Sequence, residues 1–274
     1  MNNKELEAKA REARILIIRA LNQAGSGHPG GSLSIADIMT FLYFEEMNID
    51  PGDPEMAGRD KCILSKGHAA PAQYAALAIR GYYPEEDLLS LRKLGSDFQG
   101  HPNMDYVPGI EMSTGSLGQG FSAAGGMALA NRLDSDPGRI YVFLGDGELQ
   151  EGMVWEAAMS ASHYKLDNLV AIVDHNGLQI DGKNEDVMTV APIEDKFAAF
   201  GWHVITIDGH DFDQIRKAFA EAREVEGKPV VIVAETTKGK GVSFMENQAG
   251  WHGKAPDDEQ TRQALEELKG GEQA

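Results

Sequence analysis

The sequence predicts an α/β fold, a parallel β-sheet with helices on both faces, on three observations. Strand-like apolar runs recur at 139–145, 168–174, 202–208 and 229–235. Helical patterns at about 152–164, 193–200 and 211–225 separate them. Strand, helix, strand at this spacing builds βαβ units, whose crossovers cover both faces of the sheet. Finally, no internal repeat, linker or low-complexity segment divides the chain, so one domain over 1–274 is expected.

The first half is read in order. Residues 4–24 form an amphipathic helix with Ile15, Ile17, Ile18 and Leu21 on or near one stripe. It ends at Gly25-Ser26-Gly27-His28-Pro29-Gly30-Gly31, a run expected not to be helical. A second helix is expected at about 33–46, apolar through Ile35, Ile38, Met39 and Phe41. Lys61-Cys62-Ile63-Leu64-Ser65 is a short buried strand, with Cys62 as a small apolar side chain. Helices follow at 70–80 and 85–93. The irregular stretch 95–120 is too long for a passive connection and lies between two helices, so it reads as functional. Residues 120–132, rich in Ala and Gly, suit a helix packed tightly on the sheet. A charged helix at 257–270 and a loose end complete the chain.

Composition narrows the function. With 42% hydrophobic and 25% charged residues in 274, the chain is an ordinary globular protein. A single cysteine excludes a disulfide framework, a cysteine-based zinc finger and an iron–sulfur site. No apolar run approaches the roughly 20 residues of a membrane span, and the polar N-terminus is no signal peptide. A cytoplasmic protein without a membrane partner is expected. Against 25 Lys and Arg stand 43 Asp and Glu, a formal charge of −18, which disfavours nucleic acid. A small phosphorylated ligand is not excluded. Surface fields are screened within about 8 Å at physiological salt, so its immediate contacts decide its binding.

In open parallel sheets ligands bind beyond the carboxyl ends of the strands. One strand runs into Gly145-Asp146-Gly147 and the next into Asp174-His175-Asn176. If these strands are neighbours, Asp146 and Asn176 stand side by side. A carboxylate, an amide oxygen and nearby carbonyls suit magnesium or calcium, with coordination places left for diphosphate oxygens. Gly145 and Gly147 allow close backbone approach, and the helix after Glu148 would offer its free amides. Taken alone, Gly-Asp-Gly also serves as a plain turn. His28, His68, His101 and His252 each lie in a Gly- or Pro-flanked loop, where imidazole can bind phosphate or hydroxyls and move protons. His163, His175, His203 and His210 lack that setting and read as structural or solvated. Gly118-x-Gly120-x-x-Ala123 fits a dinucleotide fingerprint only formally, because no good strand precedes it. The basic Thr236-Thr237-Lys238-Gly239-Lys240-Gly241 faces phosphates or is a solvated turn; the residues leave both readings open.

Gly145-Asp146-Gly147 with Asn176 thirty positions beyond Asp146 resembles the thiamine-diphosphate signature. Around it, Ser26-Gly27-His28-Pro29-Gly30, Ser65-Lys66-Gly67-His68-Ala69, Gly100-His101-Pro102, Thr114 to Gly120, Leu149-Gln150-Glu151-Gly152 and His252-Gly253 resemble the transketolase family, in order over nearly the whole chain. The resemblance implies the pyrophosphate-type domain of the thiamine-diphosphate-binding fold. It implies that Asp146, Asn176 and the Leu178 carbonyl hold magnesium, or calcium or manganese. The Gly147 amide, His68 and His252 would touch the diphosphate, and Gly115, Ser116 and Leu117 would border the thiamine. His28, His101 and His252 would face the ketose donor, and Glu151 would lie at the interface reaching the partner's catalytic glutamate.

Family members are more than twice as long, with pyrimidine-binding and C-terminal domains that this sequence does not contain. The resemblance therefore implies the N-terminal subunit of a split transketolase, moving a two-carbon ketol unit between sugar phosphates. It would need a separate C-terminal subunit, naturally in a heterotetramer with two of each chain. The alternatives are half of another thiamine-diphosphate enzyme (a ketoacid decarboxylase or dehydrogenase component), a transketolase-like enzyme on an unusual sugar, or a scaffold that kept the fold. A large apolar surface needing cover is also expected, since half of a shared cleft would be missing.

Overall fold

The computed structural model describes residues 1–270; the loose end expected after the last helix lies outside them. Helix α1 (Asn3–Ala24) opens on a capping box, in which the Asn2 side chain accepts from the Glu5 N–H and the Glu5 carboxylate accepts from the Asn2 N–H. Left-handed Gly25 ends it at φ +65°. The next segment differs from expectation. Helix α2 (Pro29–Ser34) begins inside the glycine run, and α3 (Ala36–Phe41) follows a break at Ile35 before a π turn at Leu42–Glu46. Proline at the first helical position has no N–H to satisfy and a pre-set φ, which favours that start. A Cβ at Gly30 would lie 3.0 Å from the Lys238 side chain and the Trp251 carbonyl, so close packing, not flexibility, explains this glycine.

Strand β1 (Lys61–Leu64), α4 (Ala70–Arg80) and a 3-10 turn at Glu85–Ser90 follow; the turn replaces the helix expected at 85–93. After the irregular stretch come α5 (Gln119–Leu133), β2 (Ile140–Gly145), α6 (Gly152–His163) and β3 (Leu169–His175). A small hairpin of β4 (Leu178–Gln179) and β5 (Gly182–Lys183) leads into α7 (Asn184–Val187) and α8 (Ile193–Ala199). The chain continues through β6 (His203–Asp208), α9 (Phe212–Glu224), β7 (Val230–Glu235) and α10 (Asp258–Gly270).

The five long strands form one parallel sheet in the order β1-β2-β3-β7-β6. Its alternation fills two cores. From β2, Tyr141 and Phe143 join Ile17, Phe41 and Phe219 on one face, while Val142 and Leu144 join Phe121, Val154 and Phe197 on the other. The strand order reverses where β7 returns beside β3, a topological switch point that opens a crevice at the carboxyl ends. Helix α5 packs on the sheet as expected, through Gly120, Phe121, Ala124 and Ala128. Among its glycines only Gly120 packs tightly, with a Cβ there 2.7 Å from Ser65 Cα, whereas Cβ atoms at Gly125 and Gly126 would meet open space.

Candidate functional site

The ends of β2 and β3 bring the expected oxygens together. Gly145 pairs with Asp174, and the Asp146 N–H donates to the Asp174 carbonyl at 3.2 Å. Asp146 is 2% exposed. Its Oδ1 accepts the Gly147 N–H at 2.7 Å and its Oδ2 the Gly177 N–H at 2.6 Å. Burial, then the charge of Asp174, raises its pKa. Asn176 Nδ2 donates to Asp174 Oδ2 at 2.9 Å, which fixes the amide so that Oδ1 turns away and accepts the Leu178 N–H at 3.2 Å. The Leu178 carbonyl accepts from Lys238 Nζ at 3.1 Å. Among the described residues no group of three His, Cys, Asp or Glu is arranged for a metal, so a centre here relies on amide, carbonyl and ligand oxygens. Buried Asn184 lies against Gly147 and beside Asp146, whose carboxyl its side chain helps to stabilise, though neither of its polar atoms reaches a well-aligned protein partner. A hydrated cation nearby would suit such an amide.

Beneath these oxygens lies a cationic floor. Lys66 and Asp174, 2% and 0% exposed, pair at 2.5 Å. Asp174 also accepts from Ser34 Oγ at 2.7 Å and from Thr236 Oγ1. Lys238 is equally buried, and its Nζ donates to His252 Nδ1 at 3.1 Å. An ammonium can only donate, so Nδ1 is the acceptor and the His252 proton sits on Nε2. Burial is the main cause that lowers Lys238 to about 8. The rings of His28, His68 and His252 form a cluster with centroids 5.1 to 5.6 Å apart. Burial, then Arg92, lowers His28 to about 4; burial, then Lys238, lowers His252 to about 3. Burial, then Lys66, pushes His68 well below its ordinary value. All three are neutral near pH 7, so they act as hydrogen-bonding groups and not as fixed charges.

A cleft of about 380 Å³ unites most of the expected residues: His28, His68, Gly115, Leu117, Asp146, Gly147, Glu151, Asn176, Leu178 and His252. Ser116 and His101 do not line it. The exposed His101 ring lies against Gly115, where a Cβ would be 3.3 Å away. The expected row of free amides is also corrected. A 3-10 turn at Gly147–Gln150 precedes α6, and the Gly147 N–H is engaged by Asp146. Glu148 clamps the site by accepting from Ser65 Oγ at 2.5 Å and from the N–H groups of Gly118 and Gly145 at 2.8 and 3.0 Å. Lys66, Asp174 and Glu148 were not singled out from the sequence, and Lys238 was left between two readings. The one available signal was their position beside strand ends and histidine motifs. Exposed Ile180 lines the cleft mouth, where Gln150 Nε2 donates to Gln179 Oε1 at 2.6 Å and to the Met188 carbonyl at 2.7 Å.

Comparison with known proteins agrees with this geometry. Residues 6–272 match the family model described as transketolase, thiamine diphosphate binding domain. The chain is 47% identical to a 6-deoxy-6-sulfo-D-fructose transketolase subunit of a Clostridium species, over 97% of this chain and 96% of that one. It is 41% identical to an apulose-4-phosphate transketolase subunit of Phocaeicola vulgatus, over 98% and 95%. With human transketolase the identity is 43%, over 96% of this chain but 42% of the relative. The crystal structure of Campylobacter jejuni transketolase superposes with a TM-score of 0.92 at 35% identity, covering 98% of this chain and 43% of that one. The chain thus spans less than half the length of the full-length transketolases it matches, and it belongs to the transketolase family as a thiamine diphosphate binding domain.

Proposed function

We propose that the chain is the pyrophosphate-binding subunit of a two-chain transketolase, which transfers a two-carbon ketol unit from a ketose to an aldose. The observation that carries this is the meeting of Asp146, Asn176 and the Leu178 carbonyl above Lys66, Lys238 and His68 at adjacent strand ends. Relatives of matching length that are named as transketolase subunits support a separate partner chain. That partner would carry the pyrimidine-binding and C-terminal domains, and a heterotetramer with two of each chain fits a cleft shared between subunits. Glu151, at the cleft edge, would face it.

Asp146, Asn176 and Leu178 would hold a divalent cation, magnesium or else calcium or manganese, which has the preference for hard oxygens that this donor set offers. The two buried lysines and His68 would take the diphosphate, whose charge matches this floor. When bound, thiamine diphosphate supplies stabilisation of the carbanion formed as the sugar's carbon–carbon bond breaks. Gly115 and Leu117 would border its thiamine portion, with Ser116 between them.

The chain's own histidines orient the sugar. Lys238 leaves His252 with its proton on Nε2, and His28 Nδ1 is buried without a protein partner. Neutral His28, His101 and His252 can donate to or accept from sugar hydroxyls and move protons between them. The test is a ketol-transfer assay with this chain, the candidate partner and both together, supplied with magnesium and thiamine diphosphate. Activity is expected only from the mixture; activity from this chain alone overturns the proposal.

A further inference from the structure

His210 takes part in no step described above. It follows the edge strand β6, and its ring is held from both sides. Nδ1 lies 2.7 Å from Asp37 Oδ2 of α3, and Nε2 accepts the Thr237 N–H at 2.9 Å. A nitrogen that accepts an amide N–H keeps its lone pair, so the ring is neutral and its proton sits on Nδ1, donated to Asp37. Asp37 is fixed in turn by Arg14 of α1, whose Nη1 and Nη2 donate to its two oxygens at 2.9 and 2.6 Å. Burial would raise the Asp37 pKa, but the Arg14 charge and the hydrogen bonds of His210 and Arg14 outweigh it and hold the carboxyl at about 2. Asp37 is therefore an acceptor only near neutral pH, and it fixes both the tautomer and the orientation of the ring.

The amide gripped in this way lies between two residues of the cleft. Thr236 donates its hydroxyl to Asp174, and Lys238 Nζ donates to His252 Nδ1 and to the Leu178 carbonyl, both at 3.1 Å. The Lys238 stem has no slack, since a Cβ at Gly30 would lie 3.0 Å from its Cγ and Cε. The amides of Thr236 and Gly239 are tied to the carbonyls of His175 and Gly30, whereas that of Thr237 rests on the His210 side chain. At the far end of the loop Arg14 is met again: a Cβ at Gly241 would lie 3.2 Å from its Cδ. We infer that His210, backed by Asp37 and Arg14, is a positioning residue for Lys238. By holding the Thr237 amide it sets where the Lys238 ammonium meets His252 and a bound diphosphate. The inference rests on the transketolase reading for the ligand and adds a residue that lies outside the cleft wall.

Two measurements test this on the whole chain, with urea unfolding as the check that each variant is folded. In the first, pyrophosphate is titrated by calorimetry in the presence of magnesium. His210→Ala is expected to weaken binding about 3- to 10-fold, the range of one neutral hydrogen bond. In a Lys238→Met background the same change should cost less than about 2-fold, because it acts through the lysine already removed. His210→Gln, whose amide keeps a donor for Asp37 and an acceptor for Thr237, should recover most of the affinity. His203→Ala, a change to a histidine paired with Glu221 on the surface, should leave it unaltered. Equal losses in the two backgrounds, no loss in His210→Ala, or no recovery in His210→Gln overturns the inference. In the second, the imidazole nitrogen signals of His252 are read by NMR without ligand. The parent chain and His210→Gln should show the proton on Nε2 alone, and His210→Ala should show both tautomers. An unaltered His252 tautomer in His210→Ala overturns the inference. His210→Phe fills the same space without an acceptor and carries both tests if the alanine variant does not fold. Absent pyrophosphate uptake by the parent chain counts against the transketolase reading, while the His252 tautomer still decides the role of His210.

Discussion

Removing the carboxylate of Asp174 is expected to be the most damaging single change near the cleft. The group is fully buried and accepts from Lys66, Ser34, Asn176 and Thr236. Asp174→Leu strands the Lys66 ammonium in the interior, and breaking a buried pair from one side costs about 3–5 kcal/mol. That is a large part of the roughly 5–15 kcal/mol by which domains are stable. The double variant Lys66→Met with Asp174→Leu removes the stranded charge, so it should recover about 2 kcal/mol or more relative to the sum of the singles. Urea unfolding followed by the fluorescence of Trp155, Trp202 and Trp251 measures all three variants. The pH dependence has a definite sign. Burial alone would raise the Asp174 pKa, but the charge of Lys66 and the hydrogen bonds of Lys66, Ser34 and Thr236 outweigh it and hold the carboxyl below its ordinary value. Its contribution is therefore complete above the unfolded carboxylate range, about pH 4, and is lost as pH falls through the lower folded value. Additive single and double variants, or an Asp174→Leu cost below about 1 kcal/mol, would refute the reasoning.

Other outcomes follow from the same geometry. Lys238→Met should weaken pyrophosphate binding about 10- to 100-fold by calorimetry, since it removes one charge-assisted donor from the floor. His252→Ala should lower ketol transfer in the assembled complex by about 10²-fold or more; unaltered transfer would end the proposed role of this histidine. Because His28 and His252 are held near 4 and 3, they should contribute no acid limb to activity above about pH 5. The unfolded chain binds more protons than the folded one between those values and the ordinary histidine value near 6.5, so urea midpoints should rise across that interval. Gly120→Ala should cost about 1–3 kcal/mol in thermal or urea unfolding, because the new Cβ would lie 2.7 Å from Ser65 Cα.

The second half was readable because β2, β3 and β7 carry apolar runs buried on both faces and the edge strand β6 alternates buried and exposed positions, patterns set locally. The neighbouring ends that carry Asp146 and Asn176 followed from the same pattern plus the rule for parallel sheets. What could not be read depends on contacts distant in sequence. The helical start at Pro29 depends on Lys238 and Trp251 packing against Gly30. The choice between a solvated turn and a buried cation at Lys238 is settled by the Leu178 carbonyl and His252. Asp174 reads from the sequence only as part of a polar strand end; its pairing with Lys66, over a hundred positions earlier, is set by the fold. His210, read as structural or solvated, links Asp37 at 2.7 Å to the Thr237 N–H at 2.9 Å, again across long separations. The outward face of Gly125 and Gly126 escaped for a related reason, since composition reports small residues but not which side they occupy.

The central claim is that the diphosphate half of the site is complete on this chain. Isothermal titration of the chain with inorganic pyrophosphate, with and without magnesium, tests it most directly when repeated on Asp146→Ala. The account predicts saturable uptake that requires magnesium and disappears in Asp146→Ala; no uptake by the parent chain, or the same uptake in the variant, would contradict it.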